Sequence, residues 1–136
     1  MSEFVIEDQI TFLYCSSLKE TAAFYEKILG FDLVVDQGSC RIVRVAEGGG
    51  GYLGYCERLE SERKPVGVIF TLVVQGMSEV DAWYALLLKR GVSIPEPPKL
   101  NPVYGIYHFF FRDPDGYTLE IQAFNDPAWK SPPKIS

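Results

Sequence analysis

The hydrophobic positions of this chain follow a strand period and then a helix period, and this order occurs twice. Residues 10–15 are an apolar run typical of a strand. Ser17 and Glu20 then have the spacing of a capping box, which predicts that a helix begins there. Gly30 supplies a C-terminal stop for that helix. Three short strands are predicted after it, at residues 31–35, 41–46 and 51–56.

The second half of the chain repeats the pattern. Residues 66–74 are apolar and β-branched, which predicts a strand. Ser78 and Asp81 repeat the Ser-x-x-acid spacing at a helix start, and Gly91 ends that helix 61 residues after Gly30. Three more strands are predicted, at residues 92–95, 105–112 and 117–124. Such a repeat indicates two modules that share one core.

We therefore expect residues 1–136 to form a single α+β domain of two βαβββ modules. Module one covers residues 8–57 and module two covers residues 66–124. The tail, residues 125–136, contains three prolines and is predicted to lie on the surface.

Composition narrows the functional classes. The chain is 47% hydrophobic and 23% charged, as expected of a globular protein, and its net charge of −5 comes without any basic run. Nucleic-acid binding therefore lacks its electrostatic signature. No apolar run has the length of a membrane span, and the acidic N-terminus has no signal-peptide pattern, so we expect a cytoplasmic protein without membrane partners.

The three cysteines are odd in number and have no Cys-x-x-Cys spacing. They lie in apolar, strand-like stretches. We expect them to be reduced and buried as small hydrophobic residues.

A hairpin near the C-terminus carries the main candidate for chemistry. Asp113, Pro114 and Gly116 are typical of a tight turn between two strands. Glu120 follows in the second strand, between two apolar residues. Because strand side chains alternate, its carboxylate points away from those neighbours, towards solvent or a pocket.

Three stretches resemble a known family. They are residues 18–31 with their Phe-Tyr and Leu-Gly-Phe sequences, residues 89–92, and residues 112–121 with the Asp-Pro-Asp-Gly turn. Together with the repeated element order they resemble the vicinal oxygen chelate superfamily, which includes glyoxalases, bleomycin-resistance proteins and extradiol dioxygenases. The resemblance implies curled mixed sheets with helices on the outer face, a pocket for a small molecule, and a homodimer.

The resemblance also implies where the ligands of a metal ion would lie. Metal-dependent members bind a divalent ion through side chains of the first strand of each module and a glutamate of the final strand. Within about one residue, these positions fall here on Ile10, Phe70 and Glu120. The neighbours Gln9 and Thr71 take the first two places only if the register is off by one. Ile10 and Phe70 are apolar, and one carboxylate cannot hold a divalent ion. We expect the protein to bind neither a metal ion nor another cofactor. The alternative is that it binds a divalent metal ion.

Strand alternation predicts which residues line the pocket. Pairing about the turn places Phe109 opposite Glu120, Tyr107 opposite Gln122 and Phe111 opposite Thr118. The predicted ligand-binding residues are Phe12, Tyr14, Phe70, Tyr107, Phe109, Phe111, Glu120 and Gln122. The same aromatics could equally fill a sheet core.

Two polar residues have alternative roles. Glu120 is the candidate catalytic residue, or a solvated carboxylate paired with Arg41 or Arg44. His108 is the only histidine. The predicted pairing places it on the face opposite Glu120, which favours a structural role unless a bulge reverses the strand.

The first functional hypothesis is a small-molecule binding protein of the glyoxalase/bleomycin-resistance type, with an aromatic or cationic compound in a metal-free pocket. One alternative is a metal enzyme of the glyoxalase, dioxygenase or thiol-transferase kind. Another is a cofactorless enzyme that uses Glu120 for proton transfer.

Overall fold

The computed structural model describes residues 8–63 and 65–125. It contains two compact units, the first within Met1–Lys64 and the second within Pro65–Pro132. Each unit is a four-stranded mixed sheet with one helix, which confirms the α+β prediction and the repeat. Apart from Asn125, the predicted tail lies outside the described residues. Neither α-helix in the described part of the chain has the length and hydrophobicity of a bilayer-spanning helix.

The first unit follows the predicted order closely. Ser17 caps its helix, since the Ser17 hydroxyl accepts a hydrogen bond from the backbone N–H of Glu20 at 3.2 Å. The α-helix continues as a wider π-helix over Ala23–Ile28. The elements are β1 (Ile10–Cys15), α1 (Leu18–Ala22), β2 (Asp32–Asp36), β3 (Cys40–Arg44) and β4 (Tyr52–Glu57). The sheet order is β1-β4-β3-β2, with β1 parallel to β4.

The two faces of the first sheet differ in burial. Leu13 and Tyr55 are paired across β1 and β4 and are buried, and Tyr55 stacks on Tyr25 of the π-helix at 5.4 Å between ring centroids. Ile10, Phe12 and Tyr14 alternate with the buried residues of β1 and are exposed. The helix therefore covers one face and leaves these three side chains on the other.

The cysteine prediction is wrong for one pair. Cys40 and Cys56 lie opposite each other across β3 and β4, with Cα atoms 4.1 Å apart, and form a disulfide. Cys15 is buried and outside any disulfide, as predicted. The pairing follows from the antiparallel register of two strands, which sequence spacing alone does not reveal.

The second unit repeats the topology. Its elements are β5 (Ile69–Val73), α2 (Met77–Lys89), β6 (Lys99–Asn101), β7 (Ile106–Arg112) and β8 (Thr118–Phe124). The sheet order is β5-β8-β7-β6, with β5 parallel to β8. Helix α2 packs on β7 and β8, so it covers one face of this sheet.

Two predicted boundaries in the second unit are wrong. The predicted strand at residues 92–95 is absent, and β6 forms at Lys99–Asn101 instead, because Pro95, Pro97 and Pro98 have no N–H for a ladder. Helix α2 begins earlier than predicted, with Gly76 as its N-cap, while the Ser78 hydroxyl donates to the Glu79 carboxylate.

The hairpin between β7 and β8 has a different register from the predicted one. The backbone N–H of Asp113 donates to the carbonyl of Tyr117 at 3.0 Å, so three residues form the loop rather than two. Gly116 supplies the positive φ, 90°, that such a loop needs at its last position. As a result His108 lies opposite Gln122, and Phe110 lies opposite Glu120.

Gly54 gives a test of packing in the first unit. Phe12 lies next to Gly54 in the register of β1 and β4, and a Cβ on Gly54 would approach the Phe12 ring to 2.3 Å. We expect Gly54→Ala to displace that ring and lower the free energy of unfolding by about 1–3 kcal/mol. Urea titration measures this loss.

In a Phe12→Ala background the same Gly54→Ala change removes no contact and should cost much less. Equal costs in the two backgrounds would show that the ring does not lie over Gly54.

Glu26, Arg41 and Tyr55 form a hydrogen-bonded network on the helix side of the first unit. The Tyr55 hydroxyl donates to the carboxylate of Glu26, which also binds Arg41 through two contacts of 2.9 and 3.0 Å. Burial, followed by this hydrogen bond to Glu26, raises the pKa of Tyr55 well above its ordinary value. The folded state therefore favours the protonated phenol.

This network predicts a pH dependence. A phenol whose pKa is higher in the folded state stabilises the fold below the unfolded-state pKa of about 10 and loses that contribution as the pH rises further. We expect Tyr55→Phe to unfold more easily at pH 7, by about 1 kcal/mol, and to lose less stability than wild type between about pH 10 and 11.5.

Urea titrations across this range, with Tyr104→Phe as a control at an exposed tyrosine, measure the effect. Parallel pH profiles for Tyr55→Phe and wild type would contradict the prediction.

Candidate functional site

A polar cluster lies on the face of the second sheet opposite α2, which we call the open face. It consists of Thr71 on β5, His108 on β7, and Glu120 and Gln122 on β8. Thr71 is paired with Glu120, and His108 with Gln122, so the sheet register alone brings the four side chains together.

Alternation along β8 explains how a carboxylate comes to be buried there. Leu119 and Ile121 point to the α2 side and are almost fully buried. Glu120 and Gln122 point to the open face, where each is only 7% exposed. Burial of a carboxylate is costly unless hydrogen bonds replace its lost water.

Three polar groups surround the Glu120 carboxylate, and two of them, Thr71 and Gln122, are donors. The Thr71 hydroxyl donates to Oε1 at 2.8 Å, and Nδ1 of His108 lies 2.6 Å from Oε2. The Gln122 amide, oriented as its hydrogen bonds require, places its nitrogen 3.0 Å from Oε2 and 3.2 Å from Oε1. Because an ionised carboxylate only accepts hydrogen bonds, this convergence of donors fits the charged form of Glu120.

A cavity of about 590 Å³ lies over the open face. His108, Glu120 and Gln122 give it a polar floor. Its apolar walls are Ile69, Ile106, Phe110 and Phe124, and Lys99, Asn101 and Tyr104 also line it. Phe110 is 40% exposed, and its ring meets the His108 ring edge to face at 5.0 Å between centroids.

On β6, the charged residue nearest to His108 is Lys99. It lies directly opposite His108 in the register of β6 and β7, so the two side chains share a face. Its ammonium pairs with the exposed Glu96 at 3.0 Å. An exposed pair of this kind is weak and can exchange its carboxylate for that of a ligand.

Of the eight ligand-binding residues predicted from sequence, two lie in this cluster and two lie on the first sheet. Glu120 and Gln122 share the open face as predicted. Phe12 and Tyr14 share the exposed face of the first sheet, where the Arg58 guanidinium lies 5.1 Å from the Tyr14 ring centroid. Their role in ligand binding stays a prediction.

The predicted placement of Tyr107, Phe109 and Phe111 beside Glu120 is wrong. The three-residue loop shifts their register by one, so all three point to α2. Phe109 meets Tyr84 of α2 edge to face at 5.5 Å, and Tyr107 donates to the Asp81 carboxylate at 2.6 Å. That hydrogen bond raises the pKa of Tyr107.

Phe70 is also misplaced by one residue. It lies beside Leu119 in the sheet and packs against Tyr117 at 6.0 Å between ring centroids, on the side opposite Glu120. Its neighbour Thr71 takes the place on the open face. The sequence held a signal for this, since the 61-residue spacing of Gly30 and Gly91, applied to Ile10, gives Thr71.

His108 is the residue of the cluster that the sequence pattern placed on the wrong face. It lies beside Glu120 without any bulge in β7, because the loop length sets the face. The alternative partners of Glu120 are engaged elsewhere. Arg41 binds Glu26, and the Arg44 guanidinium lies 6.0 Å from the Tyr52 ring centroid.

Comparison with known proteins supplies the family. The model of the Glyoxalase/Bleomycin resistance protein/Dioxygenase superfamily matches residues 8–121. The chain belongs to this superfamily. Comparison with curated proteins gives no match.

Solved structures of the superfamily share the fold. A glyoxalase/bleomycin resistance protein/dioxygenase from Nocardioides is similar at a TM-score of 0.72 and 22% identity, over 98% of this chain and 93% of that one. A glyoxalase-related enzyme from Fulvimarina pelagi gives 0.74 and 20%, over 97% and 96%. Lactoylglutathione lyase from Agrobacterium tumefaciens gives 0.71 and 19%, over 94% and 98%. At these identities the likeness extends to the fold alone.

The donor set of the second unit fits a divalent ion poorly. In the described part of the chain, no three His, Cys, Asp or Glu side chains come close enough to hold one. Both oxygens of Glu120 already accept hydrogen bonds, and its neighbour on β5 is a threonine. A hydroxyl and an amide are weak ligands for the metals that histidine and carboxylate bind.

Proposed function

We propose that the open face of the second unit binds a small organic molecule directly, without a metal ion or other cofactor. The cavity over the polar cluster is the observation that carries this proposal. Small-molecule sites combine apolar walls with a few fixed polar groups, and here those groups are held by one another before any ligand arrives.

The geometry favours an aromatic ligand over a cationic one. The exposed ring of Phe110 offers a stacking surface next to the imidazole of His108. A cation would need unengaged carboxylate oxygens, but those of Glu120 already have three polar partners. We therefore propose an aromatic compound that also carries a polar group able to bond with His108.

The oligomeric state and the cellular location of the protein are also proposals. A homodimer is the usual state implied by the resemblance to the superfamily. A cytoplasmic location is the expectation from the sequence, while the disulfide between Cys40 and Cys56 is more typical of oxidising compartments. Mass measurement in solution and thiol labelling of freshly lysed cells test these two points.

Ligand binding can be tested with a fragment set of aromatic ketones, phenols and amides, including 2-indanone, observed by protein NMR. We expect hits to shift the resonances of His108 and Phe110. Phe110→Ala should weaken the best hit by about tenfold, which corresponds to about 1.4 kcal/mol of lost stacking.

Tyr107→Phe is the matched control, because Tyr107 lies on the same strand but points to α2. Its affinity should equal that of wild type. If no fragment shifts these resonances, or if both variants bind equally well, the open face is not the binding site.

Metal independence gives a separate prediction. After dialysis against EDTA, the affinity for the best fragment should stay within about twofold of its starting value. Addition of Zn²⁺, Ni²⁺, Mn²⁺ or Mg²⁺ should neither tighten it nor raise the melting temperature, since a ligand bound only by the native state stabilises that state. A tenfold gain with any of these ions would restore the metal-enzyme hypothesis.

A further inference from the structure

We infer that His108 is a general base on the open face, and that Glu120 is the residue that positions it. The inference rests on the proposed function, since the substrate is an aromatic compound bound over the cluster. In addition, that ligand must contain a carbonyl group and an acidic carbon next to it. The reaction class is proton transfer at a carbon next to a carbonyl, without metal or redox cofactor.

The hydrogen bonds at Glu120 set the tautomer of His108. The Thr71 hydroxyl and the Gln122 amide both present hydrogen to the Glu120 carboxylate, which fits its ionised form. An ionised carboxylate has no proton to give, so Nδ1 of His108 must be the donor in the contact at 2.6 Å. In a neutral imidazole the lone pair is then on Nε2.

The exposure of Nε2 decides access to that lone pair. Every buried side-chain nitrogen or oxygen in the described residues has a hydrogen-bond partner. Within the same residues Nε2 has none, so it is not buried, although the ring as a whole is only 6% exposed. His108 also lines the cavity over the open face. A molecule bound in that cavity can therefore reach an exposed nitrogen of a residue that lines it.

Phe110 and Lys99 set the place of the substrate. An aromatic ring stacked on Phe110 lies beside the imidazole, because the rings of Phe110 and His108 are 5.0 Å apart. Lys99 lies opposite His108 on β6 and brings a positive charge to the same face. The base is thus between a stacking surface and a cation that can stabilise a developing negative charge.

The proposed step needs no other reactant. The proton on the carbon next to the carbonyl moves to Nε2, and the electrons of the C–H bond form the C=C bond of an enolate. The negative charge resides on the former carbonyl oxygen, near Lys99. His108 becomes an imidazolium that Glu120 stabilises through Nδ1–H. When the proton on Nε2 exchanges with solvent before it returns to the same carbon, the result is isotope exchange. Its delivery to another position or face of the enolate gives isomerisation.

A purely structural role for the pair makes different predictions. A structural ion pair would carry two protons on the ring at neutral pH, and Nε2 would then have no lone pair. The same substitutions would alter stability in either case. The protonation pattern of the ring therefore separates a structural ion pair from a base, and the exchange rate of a substrate separates a neutral structural hydrogen bond from a base, while stability separates neither.

The single histidine makes that pattern directly measurable. In untagged protein with ¹⁵N-labelled histidine, the NMR spectrum contains one imidazole. We expect at pH 7.5 a protonated Nδ1 and an unprotonated Nε2. In Glu120→Gln the amide can donate to Nδ1, so the proton should move to Nε2.

Catalysis is tested by deuterium exchange at the methylene groups of 2-indanone in D₂O, followed by proton NMR. This probe combines an aromatic ring with acidic carbons beside a ketone. We expect His108→Gln to lower the protein-dependent exchange rate at least 100-fold and Glu120→Gln to lower it at least tenfold. Tyr107→Phe should stay within twofold of wild type.

The outcomes distinguish this inference from the proposed function. A doubly protonated ring, or a proton on Nε2 in wild type, overturns the general-base role whatever the ligand. If 2-indanone shifts the resonances of the open face but exchanges no faster than in buffer, the inference fails and the binding function stands. If nothing in the fragment set binds, both fail.

Discussion

The loop between β7 and β8 decides what each face of the second sheet contains. Asp113 holds the loop closed, since its carboxylate accepts the backbone N–H groups of Asp115 at 2.9 Å and Tyr117 at 3.0 Å. Gly116 adopts the left-handed conformation that adds a third residue to the loop. Side chains alternate along a strand. One extra loop residue therefore moves every side chain of one strand to the other face of the sheet, relative to the strand that it pairs with. His108 meets Glu120 for this reason.

The buried carboxylate then determines the chemistry of the open face. Glu120 needs hydrogen-bond partners because it is removed from water, and the sheet supplies one from each neighbouring strand and one from its own. The group from β7 is an imidazole, so the contact that replaces water at the carboxylate also fixes the orientation of that ring. The stability of the cluster and its proposed reactivity therefore come from the same contacts.

The two units share a topology but not a surface chemistry. At equivalent positions of the first strand, 61 residues apart, the exposed residue is Ile10 in the first unit and Thr71 in the second. The exposed face of β1 is aromatic and aliphatic, whereas the open face of the second unit has a hydrogen-bonded polar floor. The two units therefore have the same backbone order and different side chains on their exposed faces.

The sequence by itself determined the elements and their order. Capping residues, helix-ending glycines and apolar periods act locally, so seven of the eight strands, both helices and the repeat could be predicted. Only the tertiary structure decided the register, because it depends on loop geometry and hydrogen bonds between distant strands. A shift of one residue turned Tyr107, Phe109 and Phe111 to the helix side of the sheet and brought His108 and Thr71 to Glu120. The cluster is the product of that register.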